Sequence, residues 1–395
     1  MLKKSENICS ACGTSRINHQ LLFIGSVVDE VFEKINFKIF NFSETKEWSE
    51  LANFIERIII TGLSYLRIVS FSKNIEKSIT GRSKLIWEEA QRRSIDMFQI
   101  MIFGKPVELY KAIINNKTFF FKSIPIPPSM PQGGYQWLDD KFILFEKLLK
   151  NKIPAPETRQ ITTWREAKLA FGELRKPVII KPKNGSRGRH TTTNINTEEE
   201  LREAFDLTRQ IALSMVIQEH LDGSVYRATM IDNELVGFFR GDPPQITGDG
   251  RKSIRVHIEE KNATRHERLS EILINKDLEN FIKRQNYTLE SVLPEATTIN
   301  LSAKTGRMYG SYTREMLSEV HPSIITIFKE AGKLVEAPVA GFDLIIEDPT
   351  RDPEGQKWGI IECNSLPFID LHYFALEGPQ INLAKNVWDL WNKEK

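Results

Sequence analysis

Two apolar segments near the carboxyl end constrain the fold of this chain more than any other feature. The first, 340–346, carries Asp343, and the second, 358–364, carries Glu362 and Asn364. Side chains two apart on a strand point to the same side, so Glu362 and Asn364 share a face. The Pro- and Gly-containing loop between the segments predicts a β-hairpin. If the hairpin turns about the middle of this loop, Asp343 lies almost opposite Glu362.

The three oxygen-bearing side chains of Asp343, Glu362 and Asn364 then converge on one face of the hairpin. Two carboxylates and an amide carbonyl form a set of hard ligands that suits Mg²⁺ bridging nucleotide phosphates. We expect Ile361 and Cys363 to point the other way. An edge hairpin with a polar outer face accounts for the same residues without a metal, so the hairpin alone leaves both interpretations open.

Length and composition exclude several classes of protein. A chain of 395 residues predicts two or three domains at about 150 residues each. A net charge of +2 argues against a dedicated nucleic-acid binder, and no apolar run is long enough to span a bilayer. Three cysteines exclude a disulfide framework and fit a reducing compartment. We therefore expect a cytoplasmic protein with no nucleic-acid and no membrane partner.

The amino terminus carries one possible metal motif. It has no apolar stretch of the signal-peptide kind. Cys9 and Cys12 form a single C-x-x-C, and with His19 they are one ligand short of a closed zinc site. A solvated turn is the alternative interpretation.

Residues 1–130 alternate short apolar and polar stretches and predict an α/β N-terminal domain. The Pro/Gly-rich stretch 125–134 predicts a linker or crossing loop. Asx-rich pairs at 115–116 and 232–233 predict two further hairpins. Asp140 is suited to cap the helix that follows it.

A Gly-rich basic loop lies between two predicted strands. It runs over 183–189, follows the strand that carries Lys181, and holds two glycines and three cations. Glycine lets backbone N–H groups approach an anion, and the cations neutralise its charge. The loop is not a Walker A motif, because no helix follows it, and the glycine spacing does not fit a dinucleotide-binding fingerprint. Taken alone, a basic β-turn explains it as well.

Taken in order, these elements resemble the ATP-grasp superfamily of carboxylate–amine ligases. The resemblance is closest to the ATP-grasp region of cyanophycin synthetase and to glutathione-synthetase-type ligases, and it covers roughly residues 100 to 392. The stretches that carry it are Asp140-Lys141, Pro177 to Pro182, Arg240 with Gly248 to Arg251, Val320-His321-Pro322, Gly341-Phe342-Asp343, Glu362-Cys363-Asn364, and His372 with Gly378.

The resemblance implies an ATP-grasp fold of the α/β (α+β) class. Two α+β subdomains then clamp the nucleotide within residues 131–395. The small lid subdomain is expected at about 160–220 and the metal-bearing subdomain at about 221–395. The α/β domain of residues 1–130 precedes them.

The resemblance also implies a role for each residue that matches a motif. Arg240 and Lys181 are the expected catalytic residues, with Arg240 steadying the γ-phosphate and the acyl phosphate. Asp343, Glu362 and Asn364 are the expected ligands of Mg²⁺. The residues expected to bind ATP are Lys141, Lys181, Lys183, Gly185, Ser186, Arg187, Gly188, Glu219, Leu221 and Arg240. Two Mg²⁺ ions are expected, with Mn²⁺ as a substitute.

One position departs from the family pattern. Relatives carry an acid that holds the ribose hydroxyls where this chain has Val225. Ser224 or Glu219 takes over that role, or the nucleotide binds more weakly.

The function implied is an ATP-dependent ligase that forms an amide or peptide bond through an acyl phosphate. Its substrates would be amino acids or peptides, and a homo-oligomer is left open. The chain ends soon after the ATP-grasp motifs, so we expect one addition step rather than polymerisation. The alternatives are a non-catalytic ATP-binding regulatory module and a carboxylate kinase that needs no amine.

Overall fold

The structure is a computed structural model that describes residues 18–27, 62–131, 136–183, 189–283, 285–302 and 310–394. Six residues with predicted roles lie outside these ranges: Cys9, Cys12, Gly185, Ser186, Arg187 and Gly188. The described chain begins with two short helices, α1 at 19–27 and α2 at 62–65.

The amino-terminal part is built on an antiparallel sheet in the order β1-β2-β3-β4. Its strands are β1 (Val69–Ser72), β2 (Asp96–Ile102), β3 (Lys105–Ile114) and β4 (Lys117–Phe121), with helix α3 (Gly81–Arg92) between the first two. The predicted hairpin at 115–116 is confirmed. Both turn residues have positive φ, which two-residue hairpin turns require and asparagine tolerates.

Helices α4 (Gln136–Asp139) and α5 (Lys141–Lys150) lead into a second sheet. As predicted, Asp140 caps α5 by accepting hydrogen bonds from the backbone N–H groups of Phe142 and Ile143. The sheet has the order β5-β8-β6-β7. It comprises β5 (Thr158–Ile161), β6 (Val178–Pro182), β7 (Thr192–Ile195) and β8 (Met215–Glu219), with helices α6 (Trp164–Glu173) and α7 (Glu198–Arg209). We call this unit the small sheet domain.

The carboxyl-terminal part contains a five-stranded antiparallel sheet in the order β13-β10-β9-β14-β15. Its strands are β9 (Ser224–Ile231), β10 (Glu234–Gly241), β13 (Thr313–Glu315), β14 (Val339–Ile346) and β15 (Gly359–Asn364). The predicted 232–233 hairpin joins β9 to β10. The helices of this part are α10 (Pro322–Val335), α11 (Asp370–Tyr373) and α12 (Leu383–Asp389).

A smaller unit interrupts this sheet between β10 and β13. It pairs β11 (Gln245–Thr247) with β12 (Thr298–Asn300) and adds helices α8 (Ile254–Ala263) and α9 (Lys276–Lys283) around its own apolar cluster. Short 3-10 helices occur at Ile75–Lys77, Leu317–Glu319 and Leu390–Glu394.

The two faces of the five-stranded sheet have different partners. One face packs on α5 and α10 through a core that includes Phe238, Phe328 and Phe342. The opposite face meets the amino-terminal part, where Trp87 of α3 and Trp388 of α12 share a cluster. This cluster contains residues from both sides of the predicted domain boundary near residue 130. The boundary therefore stays a prediction.

Candidate active site

The hairpin of β14 and β15 brings the predicted carboxylates together. Asp343 lies directly opposite Glu362, and Asn364 lies opposite Gly341, one step further along. Asp343, Glu362 and Asn364 are all half-buried, whereas Cys363 between the last two is buried in the core. The sequence-based register of Asp343 and Glu362 is therefore confirmed.

A β-bulge corrects one detail of that hairpin. Glu362 pairs with Asp343 and Ile360 pairs with Leu344, so Ile361 is an extra residue in β15. Ile360, and not Ile361, joins Cys363 in the core. The prediction that Ile361 and Cys363 share the inner face was wrong, because strict alternation fails across a bulge.

The side chain of Gln356 organises the loop of this hairpin. Its Oε1 accepts a hydrogen bond from the N–H of Asp348 at 3.0 Å, and its Nε2 donates to the carbonyls of Asp348 at 2.9 Å and Asp352 at 3.0 Å. These contacts close the loop and help to fix the register of the two strands.

Asp343 is held by Arg227 of the neighbouring strand β9. Arg227 lies opposite Asp343, and its guanidinium contacts both carboxylate oxygens, Nε to Oδ1 at 2.5 Å and Nη2 to Oδ2 at 2.8 Å. Burial lowers the pKa of Arg227, but Asp343 and then Glu362 outweigh this and raise the pKa above its ordinary value. The strand registers place Arg227, Asp343 and Glu362 in one row on one face of the sheet.

Two lysines and the acidic row come close to each other at the edge of the small sheet domain. Val178 and Ile180 of β6 are buried in that domain's core, so Lys181 points to the other face, where its Nζ lies 5.5 Å from the ring centre of Phe145. Burial first, and then the positive charge of Lys141, lower the pKa of Lys181 to about 7 against the opposing charge of Glu362. The charges of Lys141 and Glu362 therefore both act on the pKa of Lys181.

Lys183 is held at the start of helix α5. Its Nζ forms a buried ion pair with Asp140 at 2.8 Å, the residue that caps α5. Lys141 is the first residue of that helix and is itself buried. The helix cap thus ties the start of α5 to the end of β6.

The structure does not bring Arg240 to the carboxylate pair. In the sheet register Arg240 pairs with Tyr226 and shares its face, which is opposite to the face of Arg227 and Asp343. Its guanidinium donates to Asp242 at 2.7 Å and to Ser224 at 2.9 Å. The catalytic role of Arg240 stays a prediction.

The predicted adenine and ribose positions lie where β8 ends and β9 begins. The carboxylate of Glu219 accepts a hydrogen bond from the N–H of Arg175 at 3.3 Å, and Leu221 is buried. Val225 lies opposite Ile345, so an apolar pair stands where the family pattern has an acid.

A buried polar relay next to the acidic row was not foreseen. The imidazole of His372 lies 2.5 Å from Glu315 through Nδ1 and 2.7 Å from the hydroxyl of Thr229 through Nε2, and all three residues are fully buried. A Cβ on Gly237 would lie 2.5 Å from His372 Nδ1, so the ring needs a glycine beneath it. The sequence singled out His372 through its match to the family pattern, but Glu315 and Thr229 could not be paired with it without the tertiary fold.

The donor set fits a hard divalent cation. Asp343, Glu362 and Asn364 present two carboxylates and an amide on one face, and such oxygens are preferred by Mg²⁺. Within the described ranges no three His, Cys, Asp or Glu side chains cluster as a metal site. None of the helices described combines the length and apolar character that crossing a bilayer requires.

Comparisons with known proteins support the resemblance. No protein-family model matches the chain. The cyanophycin synthetase of Trichormus variabilis is 28% identical over 329 residues, which is 80% of this chain and 35% of that protein. The cyanophycin synthetase of Synechocystis sp. is 28% identical over 60% of this chain and 28% of its own length. The bifunctional protein GshAB of Clostridium perfringens, named for glutathione biosynthesis, is 26% identical over 64% of this chain and 34% of its length.

The crystal structure of a bifunctional glutathione synthetase from Pasteurella multocida matches with a TM-score of 0.53 and 20% identity, over 80% of this chain and 44% of that one. This likeness shows the fold, and the mixed α/β architecture agrees with the predicted ATP-grasp fold class. Its sequence is similar to those of cyanophycin synthetases and of bifunctional proteins of glutathione biosynthesis. The chain spans about a third of the length of the curated relatives it matches.

Proposed function

We propose that this chain is an ATP-dependent ligase that joins a carboxylate to an amine through an acyl phosphate. Amide formation in water needs an activated carboxylate, and transfer of the γ-phosphoryl group of ATP supplies the activation. Phosphoryl transfer requires mainly positioning and charge neutralisation. The observation that carries the proposal is the register of Asp343 with Glu362, close enough for the charge of Glu362 to act on Lys181.

Each group has a distinct proposed role. Asp343, Glu362 and Asn364 would hold Mg²⁺, which neutralises phosphate charge when it is bound. Lys141 and Lys181 would contact the phosphates of ATP, and segment 183–189 would cover them. Arg240 would steady the transferred phosphoryl group, and Glu219 and Leu221 would contact adenine. Two ions, with Mn²⁺ as a substitute, are proposed.

The proposed substrates are an amino acid or a peptide as the acid, and an amino acid as the amine. The names of the relatives support this class, since cyanophycin and glutathione synthetases are ligases of amino acids. A cytoplasmic location and a homo-oligomer are part of the same prediction.

Two observations favour a second candidate, a nucleotide-binding module without turnover. Arg227 occupies both oxygens of Asp343, and Val225 with Ile345 offers no polar group for a ribose. A module of this kind would bind ATP and release no phosphate. A carboxylate kinase would instead form ADP without an amine.

Product analysis distinguishes the three functions. The protein is incubated with Mg-ATP and pooled amino acids and dipeptides, and ADP, phosphate and new amides are followed by mass spectrometry. The ligase forms ADP only when both an acid and an amine are present. Binding of ATP with no turnover for any pair would contradict the proposal and support the module.

A variant pair tests the metal assignment in the same assay. Glu362→Gln keeps the volume of the side chain but removes one ligand charge, and we expect turnover to fall by about a hundredfold or more. Glu347→Gln is the matched control, because Glu347 lies on the same hairpin and is exposed. Equal loss in both variants would point to the hairpin's stability rather than to a metal.

A further inference from the structure

The acidic row carries two like charges on neighbouring strands. Asp343 and Glu362 lie directly opposite each other, and like charges in that position destabilise a sheet. The neighbouring strand supplies the compensation, because Arg227 lies in register with Asp343 and is charged through the accessible pH range. The charge of Glu362 also acts on Arg227. The guanidinium of Arg227 thus offsets the negative charge of both Asp343 and Glu362.

The geometry of Arg227 is that of a tight two-pronged contact. Nε and Nη2 each reach a different oxygen of Asp343, the arrangement that makes arginine–carboxylate pairs strong. Its side chain is only 13% exposed. Both oxygens of Asp343, which a divalent cation would need, therefore already pair with a cation that belongs to the protein.

The remaining guanidinium nitrogen, Nη1 of Arg227, lies beside Gly341. A Cβ on Gly341 would lie 3.1 Å from Nη1 of Arg227 and 2.6 Å from Cβ of Pro367, so glycine leaves room for both. Among the described residues, Nη1 has no hydrogen-bond partner although it is buried. Nε and Nη2 of Arg227 donate to Asp343, and Nη1 donates to none of the described residues. A guanidinium held at one carboxylate only can leave that carboxylate when another cation binds there.

We propose that Arg227 is a built-in stand-in for the metal, holding Asp343 in the metal-free protein and giving it up when a divalent cation binds. This inference rests on the proposed metal site of Asp343 and Glu362. Arg227 and the metal would compete for the carboxylate of Asp343. The ion pair with Arg227 therefore stabilises the sheet and lowers the affinity of the site for the metal. Displacement frees a positive charge beside the metal, so the site gains affinity for anions only once the metal is in place.

Metal binding to the free protein tests the competition without any turnover. Mn²⁺ alone is titrated into the protein, and free Mn²⁺ is measured by electron paramagnetic resonance. Arg227→Met removes the competitor, and we expect Mn²⁺ to bind about tenfold tighter or more, the strength of a charge-assisted pair expressed as an affinity ratio. Arg227→Lys keeps the charge but not the fork, and its affinity should fall between the two.

Matched variants separate failure of this inference from failure of the metal site. Arg202→Met removes an exposed arginine that pairs with Asp206 at 2.9 Å on α7, and it should leave Mn²⁺ binding unchanged. If Glu362→Gln weakens Mn²⁺ binding but Arg227→Met does not strengthen it, the stand-in role is refuted and the metal site survives. If Glu362→Gln has no effect, the metal assignment falls and the inference falls with it. Should Arg227→Met fail to fold by circular dichroism, the intermediate affinity of Arg227→Lys decides.

Discussion

Nucleotide binding by this protein should take up a proton at alkaline pH. Burial and Lys141 hold the pKa of Lys181 at about 7, far below that of an ordinary lysine. At about pH 8, one unit above that value, only about a tenth of Lys181 carries its proton. A diphosphate placed beside Lys181 favours the charged form and raises its pKa.

The size of the uptake follows from this difference. Binding of Mg-ADP at about pH 8 should take up close to one proton, and at about pH 6, where Lys181 is already mostly charged, only about a tenth of one. Calorimetry in two buffers that differ in ionisation enthalpy measures the uptake directly. Affinity should also weaken as the pH rises through about 7, because the cation must then be recharged.

Two variants make the assignment specific. Lys181→Met should abolish the uptake at alkaline pH, whereas Lys168→Met, which removes an exposed lysine of α6, should retain it. Equal uptake in Lys181→Met and in the wild type would refute the placement of phosphate beside Lys181. The effect on protein stability has its own sign. The pKa of Lys181 is lower in the folded protein than in the unfolded chain. Burying the charged lysine therefore lowers the free energy of unfolding below about pH 7, and this loss is relieved as the pH rises above that value.

Two further predictions concern the scaffold and are measured by urea unfolding. Gly237→Ala would place a Cβ 2.5 Å from His372 Nδ1 in a fully buried relay, so the free energy of unfolding should fall by about 2–4 kcal/mol. Gly172→Ala, where nothing lies within 4 Å, should leave it unchanged or raise it by up to about 1 kcal/mol, and similar losses in both would refute the reasoning. Gln356→Ala removes the hydrogen bonds that close the hairpin loop and should cost about 1–2 kcal/mol. The exposed Glu354→Ala in the same loop should change stability by less than about 0.5 kcal/mol, and an equal effect of both would count against an organising role for Gln356.

Local patterns were sufficient to predict the acidic hairpin. Strand periodicity and a loop of roughly known centre put Asp343 opposite Glu362, and the structure has this pair. The cap at Asp140 follows equally from local chemistry, since its carboxylate satisfies N–H groups of the next helical turn. These features depend on residues close in the chain.

Two single-residue bulges set side-chain directions that strand periodicity does not show. In β10 the register shifts between Leu235 and Gly237, so Arg240 pairs with Tyr226 rather than with Val225. That shift moves Arg240 to the face opposite Arg227, because a one-residue slip reverses every side chain beyond it. A sequence does not mark where a bulge falls, and the same holds for Ile361 in β15.

The partner of Asp343 could not be predicted for a different reason. Arg227 precedes Asp343 by more than a hundred residues, and β9 lies beside β14 because of the order of strands in the sheet. Strand order depends on how the whole domain packs. The relay of Glu315, His372 and Thr229 has the same origin, since it joins two strands and a helix.

The most direct test of the central claim is an experimental structure of the protein with Mn²⁺ and ADP, in which the anomalous signal of the metal locates the ion. The account predicts a peak within about 2.0–2.3 Å of carboxylate oxygens of both Asp343 and Glu362, on the face that Arg227 shares. A metal bound elsewhere, with the Asp343–Arg227 pair intact and no ion near Glu362, would contradict it.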